Sequence, residues 1–280
     1  MSLDAVIGDL ACPQCEAALL LEGGTVRCAQ GHSFDVARSG YVNLLPAGTS
    51  PGTADTPAMV AARAAFLGSE PFDPVVEAVA AAAEALAGDV TGCVVDAGAG
   101  TGHYLAAVLD RVPGRAGLAL DISKHAAKRA ARCHPRAGAV VCDTWGRLPV
   151  RDGAAAVVLD VFSPRNAAEF ARVLGEGGGL VVATPTSAHL AELREPLGLI
   201  SVDERKTERI GEAFEGRFHQ EGDAVVEYAL SLDREQALCV LEMGPSARHV
   251  GEEERRARAS KLAERTVASV SVSVASYRRS

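Results

Sequence analysis

The chain has 280 residues, enough for one α/β domain of common size and a small additional module. Lys and Arg total 28 against 36 Asp and Glu, giving a formal net charge of −8, whereas nucleic-acid-binding domains are more often basic. No run of about 18 apolar residues occurs, and the N-terminus lacks a basic region followed by an apolar stretch. We therefore expect a cytoplasmic protein with no membrane partner and no disulfides.

The first 45 residues predict a small β-rich module that binds zinc. Cys12, Cys15, Cys28 and His32 form the pattern C-x₂-C-x₁₂-C-x₃-H, which is ligand spacing for tetrahedral zinc. Four protein ligands leave no position for a catalytic water, so the predicted zinc is structural. Ordinary buried thiols are the alternative. Two strands, 18–21 and 25–28, are expected to pair across the Gly-containing turn between them.

Residues 46–58 are rich in turn-forming residues and predict a linker, and residues 59–280 are expected to form a second domain. In this domain, helical periodicity alternates with short apolar runs. The predicted helices are 59–67, 73–87 (with Asp73 as N-cap), 103–112, 123–133 and 166–174. The predicted strands are 93–96, 116–120, 139–142, 154–161 and 179–184. This alternation predicts a doubly wound, mostly parallel sheet.

The remainder of the chain is less regular. A helix is expected over 188–193 and a charged helix over 251–264. Residues 224–232 and 266–277 alternate between apolar and polar positions, which predicts two further strands, the first of them antiparallel.

The segment from Asp96 to Gly102 predicts a ligand-binding loop between a strand and a helix. Gly98 and Gly100 fit the dinucleotide pattern G-x-G-x-x-G, but its third position is His103, and Gly102 gives G-x-G-x-G instead. Asp96 would repel a pyrophosphate, whereas it can attract the ammonium group of S-adenosylmethionine. The loop therefore favours S-adenosylmethionine, with NAD and a Gly-rich turn in a nucleotide-free fold as the alternatives.

Two further carboxylates stand at the ends of successive predicted strands. Asp121 can accept hydrogen bonds from both ribose hydroxyls, and Ile122 beside it belongs to the same expected cofactor set. Asp143 ends the third strand, within reach of the adenine amino group. Because the carboxyl ends of parallel strands meet at one edge of a sheet, these residues and the Gly loop predict one cofactor site.

Further motifs extend over nearly the whole chain. They are Gly31-His32-Ser-Phe34-Asp35, Gly40-Tyr41-Val42-Asn43-Leu44-Leu45, Met59-Val-Ala-Ala-Arg63-Ala-Ala-Phe66-Leu67, Val161-Phe-Ser-Pro164-Arg165-Asn166 and Met243-Gly-Pro245-Ser246. With the Cys12–His32 pattern, they resemble the 23S ribosomal RNA guanine-N1 methyltransferases of the RlmA family. The resemblance is stronger to its actinobacterial branch, which is associated with tylosin resistance.

This resemblance implies a class I (Rossmann-like) methyltransferase fold behind the zinc module, with S-adenosylmethionine and zinc as cofactors. It implies 23S rRNA as the partner and a guanine in the helix 35 region as the methyl acceptor. It also implies cofactor contacts from Phe72, from Gly100 with Thr101, and from His189. Phe72 stands where the family usually has Tyr.

The resemblance also places the target base after the fourth strand of the sheet. There Phe162 can stack on the base, and Ser163, Pro164 and Arg165 can form a rigid turn around it. Asp160 is a candidate for removing the guanine N1 proton, and a role in the fold or in cofactor binding is its alternative. A set of basic residues could approach the RNA backbone: Lys124, Lys128, Arg129, Arg132 and Arg136.

The charge of the N-terminal module leaves two other functions open. Residues 1–45 contain two Arg against five Asp and Glu, and residues 46–58 contain no Lys or Arg. Phosphate contacts usually supply much of the affinity for RNA. A small-molecule methyltransferase that has kept the scaffold is therefore the first alternative, and a noncatalytic RNA- or ribosome-binding protein is the second. Assembly as a homodimer is also left open.

Overall fold

The computed structural model describes residues 2–46, 48–49, 52, 54–200 and 214–280. The helices are α1 (Pro57–Gly68), α2 (Asp73–Ala87), α3 (His103–Arg111), α4 (Lys124–Ala130), α5 (Ala167–Val173), α6 (Ala191–Leu197), α7 (Arg234–Met243) and α8 (Glu252–Ser260). The strands are β1 (Leu19–Glu22), β2 (Thr25–Cys28), β3 (Ser33–Asp35), β4 (Tyr41–Asn43), β5 (Cys93–Ala97), β6 (Gly117–Asp121), β7 (Ala137–Val141), β8 (Ala155–Val161), β9 (Leu174–Pro185), β10 (Phe218–Asp233) and β11 (Arg265–Arg279). No helix among these residues is long and apolar enough to cross a membrane.

The strands form two sheets. β1, β2 and β3 make a small antiparallel sheet, so the predicted N-terminal hairpin is confirmed, with Leu19 opposite Cys28. The large sheet has the order β10-β11-β9-β8-β5-β6-β7-β4. Its strands from β9 to β4 are parallel, while β11 runs antiparallel to both β9 and β10. The predicted mostly parallel sheet is confirmed, and the carboxyl ends of β5 to β8 share one edge.

Several local expectations need correction. Asp73 is the first residue of α2, and Phe72 occupies the N-cap position without a side-chain hydrogen bond. The helix expected over 188–193 begins at Ala191 and ends at Leu197, because Leu190 has a left-handed φ of 51° and cannot continue a helix backwards. The sequence patterns predicted neither the strands β3 and β4 nor the helix α7.

The N-terminal module covers part of one face of the large sheet, which α5 also covers. The opposite face packs against helices such as α2 and α3. On the module's side, Leu3, Val6 and Leu10 join a buried cluster with sheet residues such as Val140. A Cβ at Gly138 of β7 would collide with the Val6 side chain. The module therefore packs directly against the backbone of β7 at this glycine.

Hydrogen bonds fix the module to the large sheet at its edge. The Ala11 amide donates to the Pro149 carbonyl at 3.1 Å, and the Arg151 amide donates to the Asp9 carbonyl at 2.8 Å. β4, which lies inside the expected 1–45 module, pairs in parallel with β7. The module and the sheet therefore share buried surface, and unfolding the module would expose part of one face of the sheet.

Candidate active site and metal centre

The four predicted zinc ligands lie together. The Sγ atoms of Cys12, Cys15 and Cys28 and a ring nitrogen of His32 are all within 4.8 Å of one another. The Cys15 and Cys28 sulfurs are 3.6 Å apart, and His32 Nδ1 lies 3.4 Å from Cys28 Sγ. Tetrahedral zinc with Zn–S bonds of about 2.3 Å would separate two sulfurs by roughly 3.8 Å, so the cluster fits the metal.

The Gly loop adopts a conformation that other residues cannot enter without strain. Gly98, Gly100 and Gly102 have φ values of 84°, 55° and 78°, all in the left-handed region. A Cβ at Gly98 would lie 2.6 Å from the Ser163 Cβ, and one at Gly102 would lie 2.7 Å from the Cys133 sulfur. The loop is therefore packed closely between the end of β8 and the residues after α4, and Gly98 and Gly100 also border a cavity.

Asp96 has the electrostatics expected of a site for a cation. It lines a cavity of about 120 Å³, bordered by the Gly loop, and only 2% of its surface is exposed. Within the described part of the chain, its Oδ2 atom has no hydrogen-bond partner. Burial raises the pKa of Asp96 to about 8, with further contributions from Asp121 and Asp160. A buried carboxylate oxygen of this kind fits an ammonium group and opposes a pyrophosphate.

Asp121 and Asp143 stand at the ends of β6 and β7, as predicted, but both carboxylates are engaged by the backbone. Asp121 accepts from the Gly100 amide at 2.8 Å and from the Ser123 amide at 2.7 Å. Asp143 accepts from the Trp145 amide at 3.0 Å. Each oxygen retains a second acceptor site, so the contacts with ribose and adenine stay predictions.

Arg63 is a residue of the cavity that the sequence analysis did not select. Its guanidinium lies against Gly100, where an added Cβ would be 3.1 Å from Nη1. Nη1 pairs with Asp55 at 2.5 Å, and Nη2 donates to the Met243 carbonyl at 2.9 Å. The sequence feature that could have indicated it is that Arg63 is the one charged residue in the apolar segment 59–67 of α1.

A second cavity of about 290 Å³ adjoins the first, and Phe162 borders both. Phe162 has a φ of 54°, which is strained for a residue with a Cβ and is typical of functional sites. Its ring centroid lies 6.4 Å from that of Phe72, 6.3 Å from that of Tyr104 and 6.2 Å from that of His189. The structure thus gathers three aromatic residues and a histidine around the junction of the cavities.

His189 lines the second cavity, and its ring is neutral at physiological pH. Burial lowers its pKa to about 4, and the positive charge of Arg194 lowers it further. The Ser271 amide donates to its Nδ1 atom at 3.3 Å, so the ring proton is assigned to Nε2. This arrangement offers a neutral donor and no base at Nδ1.

Asp160 and the residues after Phe162 form the support of the turn. The Ser163 hydroxyl donates to Asp160 Oδ1 at 2.7 Å and also to the Ala97 carbonyl. Arg165 Nε is 3.9 Å from Asp160 Oδ2. Asp160 is fully buried, and neither it nor Ser163, Pro164 or Arg165 lines the two cavities.

A basic groove adjoins the cofactor cavity on its other side. It has a volume of about 590 Å³ and is lined by Lys128, Arg129 and Arg132, and it shares Thr101 with the cofactor cavity. Arg136 was expected to belong to this basic set, but it does not line the groove. Its guanidinium donates to the carbonyls of loop and helix residues: Leu109, Val112 and Arg115.

Two family models match the chain. The model described as "RlmA, N-terminal" matches residues 10–49, which include all four Cys and His ligands. The model described as "Methyltransferase domain" matches residues 95–182, which include the Gly loop. They bear out the expected cofactors, zinc for the N-terminal ribbon and S-adenosylmethionine for the methyltransferase domain.

Known relatives match the chain over nearly its full length. A 23S rRNA (guanine(748)-N(1))-methyltransferase of Streptomyces fradiae is 47% identical, covering 92% of this chain and 92% of its own. A candidate 23S rRNA (guanine-N(1)-)-methyltransferase of Micromonospora griseorubida is also 47% identical, covering 96% of this chain and 97% of its own. The chain belongs to the 23S rRNA (guanine-N1)-methyltransferase family. It is therefore an enzyme, which removes the noncatalytic alternative.

The fold of this family member also agrees with a more distant solved structure. A candidate methyltransferase of Bacillus halodurans superposes with a TM-score of 0.50 at 16% identity, covering 71% of this chain and 97% of the other. At that identity the likeness concerns the fold alone, and it confirms the predicted class I methyltransferase architecture.

Proposed function

We propose that this enzyme transfers the methyl group of S-adenosylmethionine to N1 of a guanine in 23S rRNA, at the position corresponding to the guanine named in its Streptomyces fradiae relative. The observation that carries this proposal is the pair of adjoining cavities with Phe162 between them. One has the Gly loop and an acidic floor. The other, at about 290 Å³, suits a single flipped nucleobase.

The first cavity, together with the strand ends beside it, supplies groups for each part of the cofactor, and the cavity itself takes only the amino-acid end. We assign the ammonium to Asp96 and the carboxylate to Arg63, whose Nη1 and Nη2 atoms each carry a second N–H beside the bonds to Asp55 and to the Met243 carbonyl. Phe72 and His189 flank the cavity junction, and Asp121 with Ile122 and Asp143 are assigned to the adenosine. The backbone contacts come from the loop residues Gly98, Gly100, Thr101 and Gly102. When bound, the sulfonium supplies an activated methyl group.

The second cavity holds the acceptor. Phe162 presents its ring at the junction, where stacking on guanine would align N1 with the first cavity, and alignment of this kind is the main contribution of a methyltransferase to rate. His189 cannot serve as the base, because its pKa is about 4 and Nδ1 already accepts from Ser271. We assign Asp160 to holding the turn, because it is fully buried and accepts from Ser163.

The basic groove supports RNA as the substrate despite the net charge of −8. The groove places three cations beside Thr101: Lys128, Arg129 and Arg132. They can bind phosphates near the site although the chain as a whole is acidic. Releasing counterions from a few phosphates makes such binding strongly salt-dependent. Neutralising two of these cations should therefore flatten the salt dependence of RNA affinity.

Labelled S-adenosylmethionine tests the proposal with three acceptors: unmodified 23S rRNA, unmodified 16S rRNA and a protein-free metabolite extract. We expect label in 23S rRNA alone. Transfer to a metabolite without transfer to 23S rRNA would instead support the small-molecule alternative, which the acidic N-terminal module motivates. The variant Asp96→Asn controls for contaminating methyltransferases, since it should lower the incorporation that this enzyme causes and leave that of a contaminant unchanged.

A further inference from the structure

Trp145 is the sole tryptophan of the chain, and its side chain is 67% exposed. Because most of the ring is exposed to solvent, its burial contributes little to the stability of the fold, and packing in the core does not explain its presence. It lies in the loop that follows β7 and does not line the cofactor cavity. The same loop carries Asp143, which we assign to the adenosine, but the Trp145 ring has no part in the proposed methyl transfer.

The backbone that carries Trp145 is fixed from several sides. Asn166 Nδ2 donates to the carbonyls of Thr144, Trp145 and Gly146, at 3.1, 3.1 and 2.8 Å. The Trp145 amide donates to Asp143 Oδ1 at 3.0 Å. A ring on a fixed backbone loses little conformational entropy when it binds a flat partner.

The loop lies between the two parts of the molecule expected to meet the substrate. Asp143 and Asn166 follow β7 and β8, so Trp145 stands at the carboxyl edge of the sheet. Arg147 pairs with Glu16 of the zinc module at 2.9 Å, and Glu16 is adjacent to the ligand Cys15. An RNA that contacts both the zinc module and the active site would pass this ring.

We propose that Trp145 is a stacking platform for an unpaired base of the rRNA, a base other than the one that is methylated. Sequence-specific RNA recognition commonly uses unstacked bases on aromatic side chains. The inference rests on the proposed rRNA substrate. A ring that instead covers the adenine of the cofactor is the competing outcome of the test.

Binding measurements on the full chain separate these outcomes. The ligands are a hairpin transcript containing the target guanine and, separately, S-adenosylhomocysteine. Stacking on one base corresponds to roughly 5- to 150-fold in affinity, so Trp145→Ala should weaken hairpin binding by about fivefold or more and leave S-adenosylhomocysteine binding unchanged. Trp145→Phe, which keeps a ring, should recover most of the loss.

Val225→Ala is the matched control. Val225 is 57% exposed on β10, at the sheet edge opposite β7 and β4, so its truncation should change neither affinity. Thermal unfolding of each variant checks that the fold is intact.

The wild-type protein provides a second readout that needs no variant. Because Trp145 is the sole tryptophan, acrylamide quenching of protein fluorescence above 295 nm reports on this one ring. Hairpin binding should shield the ring, and S-adenosylhomocysteine should not. The proposal is overturned if the hairpin does not shield Trp145 from acrylamide and also binds Trp145→Ala as tightly as the wild type. It is equally overturned if S-adenosylhomocysteine shields Trp145 and binds Trp145→Ala more weakly than the wild type. Wild-type methylation of 23S rRNA in the same preparation shows that such a failure concerns Trp145 and not the proposed function.

Discussion

Replacing Asp96 with Asn removes the charge at the floor of the cofactor cavity and keeps the size of the side chain. In the wild type, burial raises the pKa of this carboxyl to about 8, so roughly one-tenth of it is ionised at pH 7 in the ligand-free protein. A bound ammonium favours the ionised form, and the proton must leave when the cofactor binds. Cofactor affinity should therefore rise about tenfold from pH 6 to pH 7, and this rise should end near the pKa, above which loss of the ligand's own ammonium proton lowers the affinity.

Isothermal titration with S-adenosylhomocysteine between pH 6 and pH 9 measures this linkage. In buffers of different ionisation enthalpy, the wild type should release close to one proton per ligand at pH 7. Asp96→Asn should bind roughly a hundredfold more weakly at pH 8, from the loss of about 3 kcal/mol for one partner of a buried ion pair. Its remaining pH dependence belongs to the amino group of the ligand.

Asp89→Asn, at an exposed position after α2, is the matched control and should behave as the wild type. A wild-type affinity that does not change with pH would refute the assignment of Asp96, as would the same slope in Asp96→Asn.

Three further perturbations test other parts of the site. Without ligand, the free energy of unfolding should fall as the pH rises from about 4 to about 8, because the unfolded chain loses the Asp96 proton near pH 4 and the folded chain keeps it. The contribution of Asp96 is up to about 1.4 kcal/mol per pH unit, and urea unfolding of Asp96→Asn should lack it. Arg63→Ala should weaken S-adenosylhomocysteine binding about tenfold or more, so a variant that binds this ligand as tightly as the wild type in titration would contradict its role. Cys28→Ser should lose zinc and lower the Tm, by about 2–4 °C for each kcal/mol lost in a chain of this size, since the module covers part of one sheet face; a zinc-free variant with unchanged Tm in calorimetry would contradict this coupling.

Local spacing allowed the cofactor loop and the metal ligands to be predicted from the sequence. The glycines from Gly98 to Gly102 are needed because the backbone is left-handed there, and this requirement is visible as residue identity. The ligand pattern from Cys12 to His32 is set by the geometry of the metal, which allows few spacings. The alternation that predicted the parallel sheet likewise depends on short-range burial within each element.

Features created by tertiary contact could not be predicted in this way. Arg63 reaches Gly100 only because α1 packs across the loop, and nothing near Arg63 in the sequence specifies this. β4 has three residues, too few for a period, and it exists because the edge of β7 is available for pairing. The left-handed φ of Phe162 depends on the turn that Asp160 and Ser163 hold together.

Mapping the methylated nucleoside tests the central claim most directly. Unmodified 23S rRNA is incubated with the enzyme and S-adenosylmethionine, digested to nucleosides for mass spectrometry, and in parallel copied by reverse transcriptase. We expect N1-methylguanosine as the new nucleoside and one strong stop beside the guanine named in the Streptomyces fradiae relative, because a methyl group at N1 blocks base pairing. Methylation of another base or of another guanine atom, or no methylation of 23S rRNA by an enzyme that binds the cofactor, would contradict the account.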